Sequence, residues 1–361
     1  MKPYKTAVLG ATGMVGQRFV NLLAEHPWFR LTTVAASPRS AGKRYAEAVE
    51  GRWAMSTAIP GAVAELPVLA VEDDLAQIAA AVEVVFCALD MEKDEIRRLE
   101  EAYAAAGVAV ISNNSAHRWT DDVPMIMPEV NPDHAGLIDI QRKNRGWTTG
   151  CIAVKPNCSI QSYVSVLTAL AAWKPVDVTV TSLQAISGAG KTFATWPDMV
   201  DNVIPYIAGE EQKSENEPRK IWGLLQNGAI ELATTPTIQA TCIRVPVSDG
   251  HMASVQVQFG GSPSKDELVA ALKNFANPLA ELGLPSAPTQ LLQYFEDESR
   301  PQTKLDRDYE HGMGVSVGRL REIGEDRWQF VALAHNTVRG AAGGAVLMAE
   351  LLAAKGYINH R

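Results

Sequence analysis

Three glycines spaced three apart, Gly10, Gly13 and Gly16 in Gly10-Ala11-Thr12-Gly13-Met14-Val15-Gly16, stand between an apolar run at residues 6–9 and a helical pattern at 14–25. Glycine permits the tight turn such a junction needs. It also lets backbone N–H groups at the positive end of the helix dipole reach a phosphate. The spacing is GxxGxxG rather than GxGxxG, and the strand before it and the helix after it make it a candidate pyrophosphate cradle. Alternation continues with a strand at 31–36 and, after a long connection, an apolar run at 82–89 without helical period, which suits a strand buried on both faces of a parallel sheet. A helix at 93–106, closed by Gly107, and a strand at 108–111 follow. The pattern predicts a doubly wound, Rossmann-like α/β domain.

The second half reads differently. A helix-like stretch at 158–173 leads into strand-like segments at 177–184, 241–247, 253–259, 314–320 and 328–333, so this half is expected to be α+β with a largely antiparallel sheet. The Ala/Leu-rich segment 341–355 reads as a helix that returns to the first domain. The expected division is 1–155 with 337–361 for the first domain and 156–336 for the second. A chain of 361 residues, 47% hydrophobic and 20% charged, can hold two such cores. No run approaches the length of a membrane span and no signal-peptide pattern opens the chain, which predicts a cytoplasmic protein. The net charge of −8 is spread out, with no basic cluster for nucleic acid. Four cysteines without CxxC or zinc spacing indicate neither a disulfide framework nor a metal site.

After the second strand a carboxylate would select a free ribose 2′-hydroxyl, but the chain reads Ala36-Ser37-Pro38-Arg39-Ser40. A guanidinium with two hydroxyls suits a 2′-phosphate instead, which favours NADP. Gly10, Thr12, Gly13, Met14 and Val15 with Ser37, Arg39 and Ser40 are the candidate cofactor contacts. Cys158, in Lys155-Pro156-Asn157-Cys158-Ser159, precedes an apolar helical stretch whose dipole and N–H groups are expected to lower the thiol pKa. A cysteine at a helix start is as often structural as reactive, so a base must accompany it. Cys87, Cys151 and Cys242 read as packed thiols. Six of the seven histidines fall in surface-like loops, at helix ends or near a terminus; His251 closes a strand-to-turn segment, Arg244 to His251, beside Gly250, and is the candidate acid/base.

These segments, with QAISGAG, GEEQK, RVPVSDGH and HNTVRGAAGG, fall in the order found in aspartate-semialdehyde dehydrogenases. The chain resembles that family, particularly its archaeal and fungal branch, from the glycine turn to the C-terminal helix. The resemblance implies a Rossmann domain joined to a dimerising catalytic domain of the glyceraldehyde-phosphate-dehydrogenase-like type, in a homodimer or homotetramer. It further implies that Cys158 is the acyl-thioester nucleophile, His251 the acid/base and Gln184 a substrate-orienting group. Arg244 would clamp the substrate α-carboxylate and Glu210 its amino group, with Glu211 as the neighbouring alternative. Lys213, Arg118 and Asn157 would bind phosphate, and Ser187, Gly188 and Asn336 would lie at the nicotinamide end. Without the resemblance, a solvated pair one helical turn apart is the favoured reading of Glu210 and Lys213.

The implied reaction is the reversible, NADPH-dependent reductive dephosphorylation of L-aspartyl 4-phosphate to L-aspartate 4-semialdehyde and phosphate. This step belongs to lysine, threonine, methionine and isoleucine biosynthesis. Two other readings fit part of the pattern: a malonyl-CoA reductase-like acyl-thioester reductase, whose substrate has no α-amino group, and a non-catalytic NADP-binding sensor, which needs neither nucleophile nor base.

Overall fold

The computed structural model describes residues 2–360. Strands β1 (Tyr4–Leu9), β2 (Phe29–Ala36), β3 (Val68–Ala70), β4 (Val84–Cys87), β5 (Ala109–Ser112) and β6 (Cys151–Val154) form one parallel sheet in the order β3-β2-β1-β4-β5-β6. Chain order reverses at β1, and the glycine turn leaves the carboxyl end of that strand, where open α/β sheets hold ligands. All four residues of β4 are buried, as a central parallel strand requires. The helix Met14–Leu23 turns Phe19, Val20 and Leu23 toward the sheet. The long connection at 37–81 carries more structure than its sequence suggests: two single-turn helices, strand β3 and the helix Leu75–Ala81. Strand β3 is only three residues long, too short for a periodic signal.

The second sheet contains β7 (Pro175–Gln184), β10 (Thr237–Arg244), β11 (His251–Phe259), β12 (Leu292–Tyr294), β13 (Val315–Gly324) and β14 (Arg327–Ala334), in the order β10-β7-β11-β14-β13-β12. A separate two-stranded ribbon, β8 (Leu224–Gln226) with β9 (Ala229–Glu231), stands beside it. The three central pairings are antiparallel, and both outer pairings, β10 with β7 and β12 with β13, are parallel. Along β11 buried and half-buried residues alternate without a break, so one face joins the core with the helix Gln161–Ala169 and the opposite face is only partly covered by this chain.

After β14 a single π-helical turn, Val338–Ala342, leads into the helix Gly343–Ala354, which has ten consecutive buried residues, Gly343 to Leu352. It packs with the helix Met14–Leu23 and strand β5 in the core of the first sheet. A fully buried ion pair holds its entrance: Arg339 Nη1 donates to Glu129 Oε1 at 2.8 Å. No helix among the described residues is long and apolar enough to cross a membrane.

Candidate active site

Where the two sheets meet, a cavity of about 310 Å³ is lined by Cys158, Gln184, Gly188, Glu210, Arg244 and Asn336, among others. Cys158 enters it from the segment after β6. The helix begins three residues later than the apolar pattern suggests, at Gln161, because the Asn157 side chain accepts the Ser159 N–H at 2.7 Å and its hydroxyl at 2.6 Å, closing a local turn first. The thiol therefore sits in the approach to the helix, not in its first turn. Its pKa is not lowered as expected: burial pushes it up to about 11, with Glu210 adding to the rise and Lys155, Arg118 and Arg244 opposing it. Even so, Cys158 alone of the four cysteines keeps partial access; Cys87, Cys151 and Cys242 are fully buried.

Cys158 Sγ lies 3.5 Å from His251 Nε2. On the other side of the ring the Ala185 N–H donates to Nδ1 at 3.0 Å, which assigns the proton of the neutral imidazole to Nε2, facing the sulfur. Burial, with Arg244 beside it, pushes the His251 pKa down to about 3, so the ring is neutral at physiological pH. Gly188 is fixed by contact: a Cβ there would lie 2.9 Å from Arg244 Nη1 and 3.0 Å from both His251 Cε1 and Nε2. The other histidines do not all match the surface reading. His117, His134 and His335 are buried, and His134 is held between Asn131 and the Gly223 carbonyl, since the loops carrying them fold inward between elements.

Arg244 ends β10 and donates through Nη1 to the Ala185 carbonyl at 2.7 Å. Across the cavity, Gly209 in the left-handed region (φ 71°) starts the helix Glu210–Ile221. Glu210 accepts from Lys213 Nζ at 2.7 Å, Asn157 Nδ2 at 3.1 Å and Gln184 Nε2 at 3.2 Å. Burial alone would raise its pKa, but Lys213, Gln184 and Asn157 outweigh that and hold it below the usual value. Glu211 points away and accepts the Cys242 N–H at 3.2 Å, so Glu210 is the carboxylate that faces the cavity. Arg118 and Lys213 line the cavity too, although neither is free: Arg118 Nη1 is 2.8 Å from Glu217 Oε1, and its Nε donates to the Lys155 carbonyl.

Toward the glycine turn, Asn336 Nδ2 donates to Ser187 Oγ at 2.9 Å while its Oδ1 accepts the Gly250 N–H at 2.8 Å, tying three segments together. Val15 lines the same cavity. The N–H groups of Gly10 and Ala11 both reach the Ala35 carbonyl, which sets the turn carrying Thr12, Gly13 and Met14 beside the end of β2 that leads to Ser37, Arg39 and Ser40. Gly10 (φ 81°) and Gly16 are demanded by the chain itself, since a Cβ would meet the Ala88 carbonyl oxygen at 2.3 Å or the Gly10 carbonyl oxygen at 2.1 Å. At Gly13 the nearest atom would be an ordinary 3.6 Å away. Gly13 and Arg39 are exposed, and Arg39 makes no ion pair among the described residues.

Two family models match the chain: the semialdehyde dehydrogenase NAD binding domain over residues 5–138 and the semialdehyde dehydrogenase dimerisation domain over residues 167–339. An aspartate-semialdehyde dehydrogenase of Archaeoglobus fulgidus is 44% identical over 97% of this chain and 98% of its own length. The chain belongs to the aspartate-semialdehyde dehydrogenase family. An Aspergillus fumigatus member of that family is 42% identical over 98% of both chains. The crystal structure of aspartate semialdehyde dehydrogenase with NADP from Candida albicans is similar with a TM-score of 0.87 at 36% identity, covering 99% of this chain and 100% of that one.

Several residues of this aspartate-semialdehyde dehydrogenase cavity escaped the sequence reading. Asn113, Asn114 and Ser115, after β5, line it, and Asn114 is braced by accepting from the Leu89 N–H and donating to the Leu89 carbonyl. Gly340 lines it as well, and a Cβ there would come within 2.9 Å of Cys158 Cβ. Glu217, behind the wall rather than on it, holds Arg118 and the Asn157 N–H and is the largest omission. A signal for it exists: Glu210, Lys213, Glu217 and Lys220 recur at helical spacing along one face of Glu210–Ile221, and Glu210, Glu217 and Lys220 are buried.

Proposed function

We propose that this chain catalyses the reversible reductive dephosphorylation of L-aspartyl 4-phosphate to L-aspartate 4-semialdehyde and phosphate with NADPH, through an acyl-thioester on Cys158. The observation that carries the mechanism is the Cys158–His251 contact of 3.5 Å in a cavity whose walls bear one buried carboxylate, Glu210, and two buried guanidinium groups, of which Arg118 is paired with Glu217 and Arg244 makes no ion pair among the described residues. An α-amino acid needs a cation for its carboxylate and an anion for its ammonium, and Arg244 with Glu210 supplies them. Lys213, Arg118 and Asn157 take the phosphate, and Gln184 orients the acyl group.

In the biosynthetic direction the Cys158 thiolate attacks the acyl carbon, the acyl–oxygen bond to phosphate breaks, and a thioester remains. NADPH, when bound, supplies hydride to that thioester. His251, neutral with its proton on Nε2, donates a hydrogen bond to the oxyanion of each tetrahedral stage and orders its collapse. Cofactor fit rests on the turn after β1: Gly13 has room that the chain does not use, and Arg39 is an exposed guanidinium in the segment that follows β2, the strand whose Ala35 carbonyl holds that turn, suited to a 2′-phosphate. Gly10, Thr12, Met14, Val15, Ser37 and Ser40 complete the cradle, and Ser187, Gly188 and Asn336 the nicotinamide end. Residues 1–155 with 337–361 form the nucleotide-binding unit and 156–336 the catalytic unit. The partly covered face of β7 and β11 suits pairing with a second copy, as a homodimer or a homotetramer built from it, and a cytoplasmic location belongs to the same reading.

The test is NADPH formation from L-aspartate semialdehyde, NADP+ and phosphate, run against NADPH consumption with malonyl-CoA. Phosphate-dependent turnover is expected in the first assay only. Turnover restricted to malonyl-CoA, or none with either, contradicts the reading.

A further inference from the structure

The Glu217 carboxylate is buried, 1% exposed, and each of its oxygens holds a different partner. Oε1 accepts from Arg118 Nη1 at 2.8 Å, and Oε2 accepts the Asn157 N–H at 2.6 Å. Arg118 in turn donates through Nε to the Lys155 carbonyl at 3.0 Å. The ion pair therefore grips both ends of Lys155-Pro156-Asn157, the segment that leads from β6 to Cys158. It lies between the end of β6 at Val154 and the helix that starts at Gln161, so neither strand nor helix fixes its course.

The helix Glu210–Ile221 is fastened to the same region at further points. Ser214 Oγ meets Ser159 Oγ at 3.0 Å, and Lys220 Nζ donates to the Arg118 carbonyl at 2.8 Å. Pro218 has no N–H to give to the Ser214 carbonyl one turn back, and that carbonyl accepts the Tyr163 hydroxyl at 2.8 Å instead. The proline beside Glu217 thus exchanges a helical bond for a contact with the helix that follows Cys158.

Two carboxylates of this helix reach Asn157, and their situations differ. Glu210 holds the Asn157 side chain and faces the cavity, where in the proposed reaction the substrate ammonium competes for it. Glu217 holds the main chain from behind the cavity wall, paired with a guanidinium that is itself buried. A buried ion pair resists separation, because either partner left alone is an uncompensated charge. Its grip on the main chain keeps Cys158 in place while Glu210 exchanges partners.

We propose that the Glu217–Arg118 ion pair positions the nucleophile, with Glu217 a positioning residue that acts through the Asn157 N–H and Arg118 serving even the half-reaction in which phosphate takes no part. This rests on the reading of Cys158 as the nucleophile. In that half-reaction the Cys158 thiolate adds to the aldehyde carbon, hydride leaves that carbon for NADP+, and a thioester remains before phosphate enters. Misplacing the sulfur by about 1 Å costs on the order of 100-fold in rate.

The test is the burst of NADPH on mixing the enzyme with L-aspartate semialdehyde and NADP+ in the absence of phosphate. Its rate constant reads the placement of Cys158, and its amplitude counts the intact sites. Glu217→Met removes both acceptors with little change of bulk and is expected to slow the burst about 30-fold, leaving its amplitude and NADP+ binding as in the wild type. Arg118→Lys keeps the charge but puts a single nitrogen in place of the planar fork, and is expected to slow the same phosphate-free burst about fivefold. A burst at the wild-type rate constant in either variant overturns the proposal. A lowered amplitude at the wild-type rate constant marks a merely structural role and overturns it too. Should Glu217→Met fail to fold, Arg118→Lys decides. No burst in the wild-type protein defeats the thioester reading itself, whereas a normal burst that both substitutions leave unchanged defeats only the role given to the ion pair.

Discussion

The glycine turn, which reaches the cavity through Val15, is built of small residues, Gly10, Ala11, Thr12 and Gly13. On the wall made by the helix Glu210–Ile221, Glu210 and Lys213 hold each other, and Glu217 behind them holds Arg118 and the Asn157 N–H. The first is shaped by exclusion, with room at Gly13 where the chain itself makes no demand. The second is shaped by charge balance, so that the buried carboxylates of that helix, Glu210 and Glu217, are paired before any ligand arrives. In the proposed reading a nucleotide would settle at the glycine turn without breaking contacts, whereas a substrate ammonium would compete with Lys213 and Asn157 for the Glu210 carboxylate, and phosphate would share Lys213 with it. That competition would be a source of specificity, because a ligand lacking the amino group gains nothing from disturbing the pair.

The sharpest way to separate the walls is to remove the group between them. Cys158→Ala is expected to lower turnover by about 10⁴-fold or more while NADP binding, followed by nucleotide fluorescence, stays as in the wild type. On the charged wall, Glu210→Gln should lower kcat/KM for L-aspartate semialdehyde by about 100-fold. Glu211→Gln should change it less than about twofold, because that carboxylate faces β10. A reversed pattern would exchange the two roles.

On the small-residue wall the contrast is between steric need within the chain and room for a ligand. Gly16→Ala forces a Cβ to 2.1 Å from the Gly10 carbonyl oxygen and is expected to destabilise the fold by about 2 kcal/mol in urea denaturation. Gly13→Ala should leave stability within about 0.5 kcal/mol yet weaken nucleotide binding severalfold. Arg39→Ala is expected to raise the KM for NADP about tenfold with little change for NAD, read from paired initial-rate series.

The smallest effect concerns a buried carboxyl whose one nearby basic group, His117 at 4.0 Å, has its own pKa lowered by burial. Glu100 is fully buried behind β5, accepts Ser112 Oγ at 2.5 Å, and has its pKa pushed up to about 7 by burial. Unfolded, it ionises near the ordinary carboxyl value; folded, it resists until about 7, so it costs stability increasingly as pH rises between the two. Glu100→Gln should thus gain about 1 kcal/mol at pH 8 and nothing at pH 4.5. An equal gain at both would assign the effect to packing rather than charge.

What the sequence disclosed follows the same division. The glycine turn, strand β4 and the helix Lys93–Ala105 closed by Gly107 (φ 86°) were legible because local sterics and periodicity dictate them. Strand β3 was not, being three residues long and paired only through distant partners. In the cavity, Cys158 and His251 stood out by their neighbours, 93 residues apart in sequence and 3.5 Å apart in space. Glu217, behind the cavity wall, did not. Its significance lies in burial, and a charged residue on a polar helix looks the same in sequence whether water or protein surrounds it. The expected acidity of Cys158 failed for the same reason, since a helix start is visible locally while desolvation is not.

The most direct test of the account is mass spectrometry of the protein incubated with L-aspartate semialdehyde and NADP+ in the absence of phosphate. An aspartyl adduct on the peptide bearing Cys158, released on adding phosphate together with formation of aspartyl phosphate, is the predicted result. An unmodified Cys158 under turnover conditions, an adduct on Cys87, Cys151 or Cys242 instead, or an adduct indifferent to phosphate would contradict it.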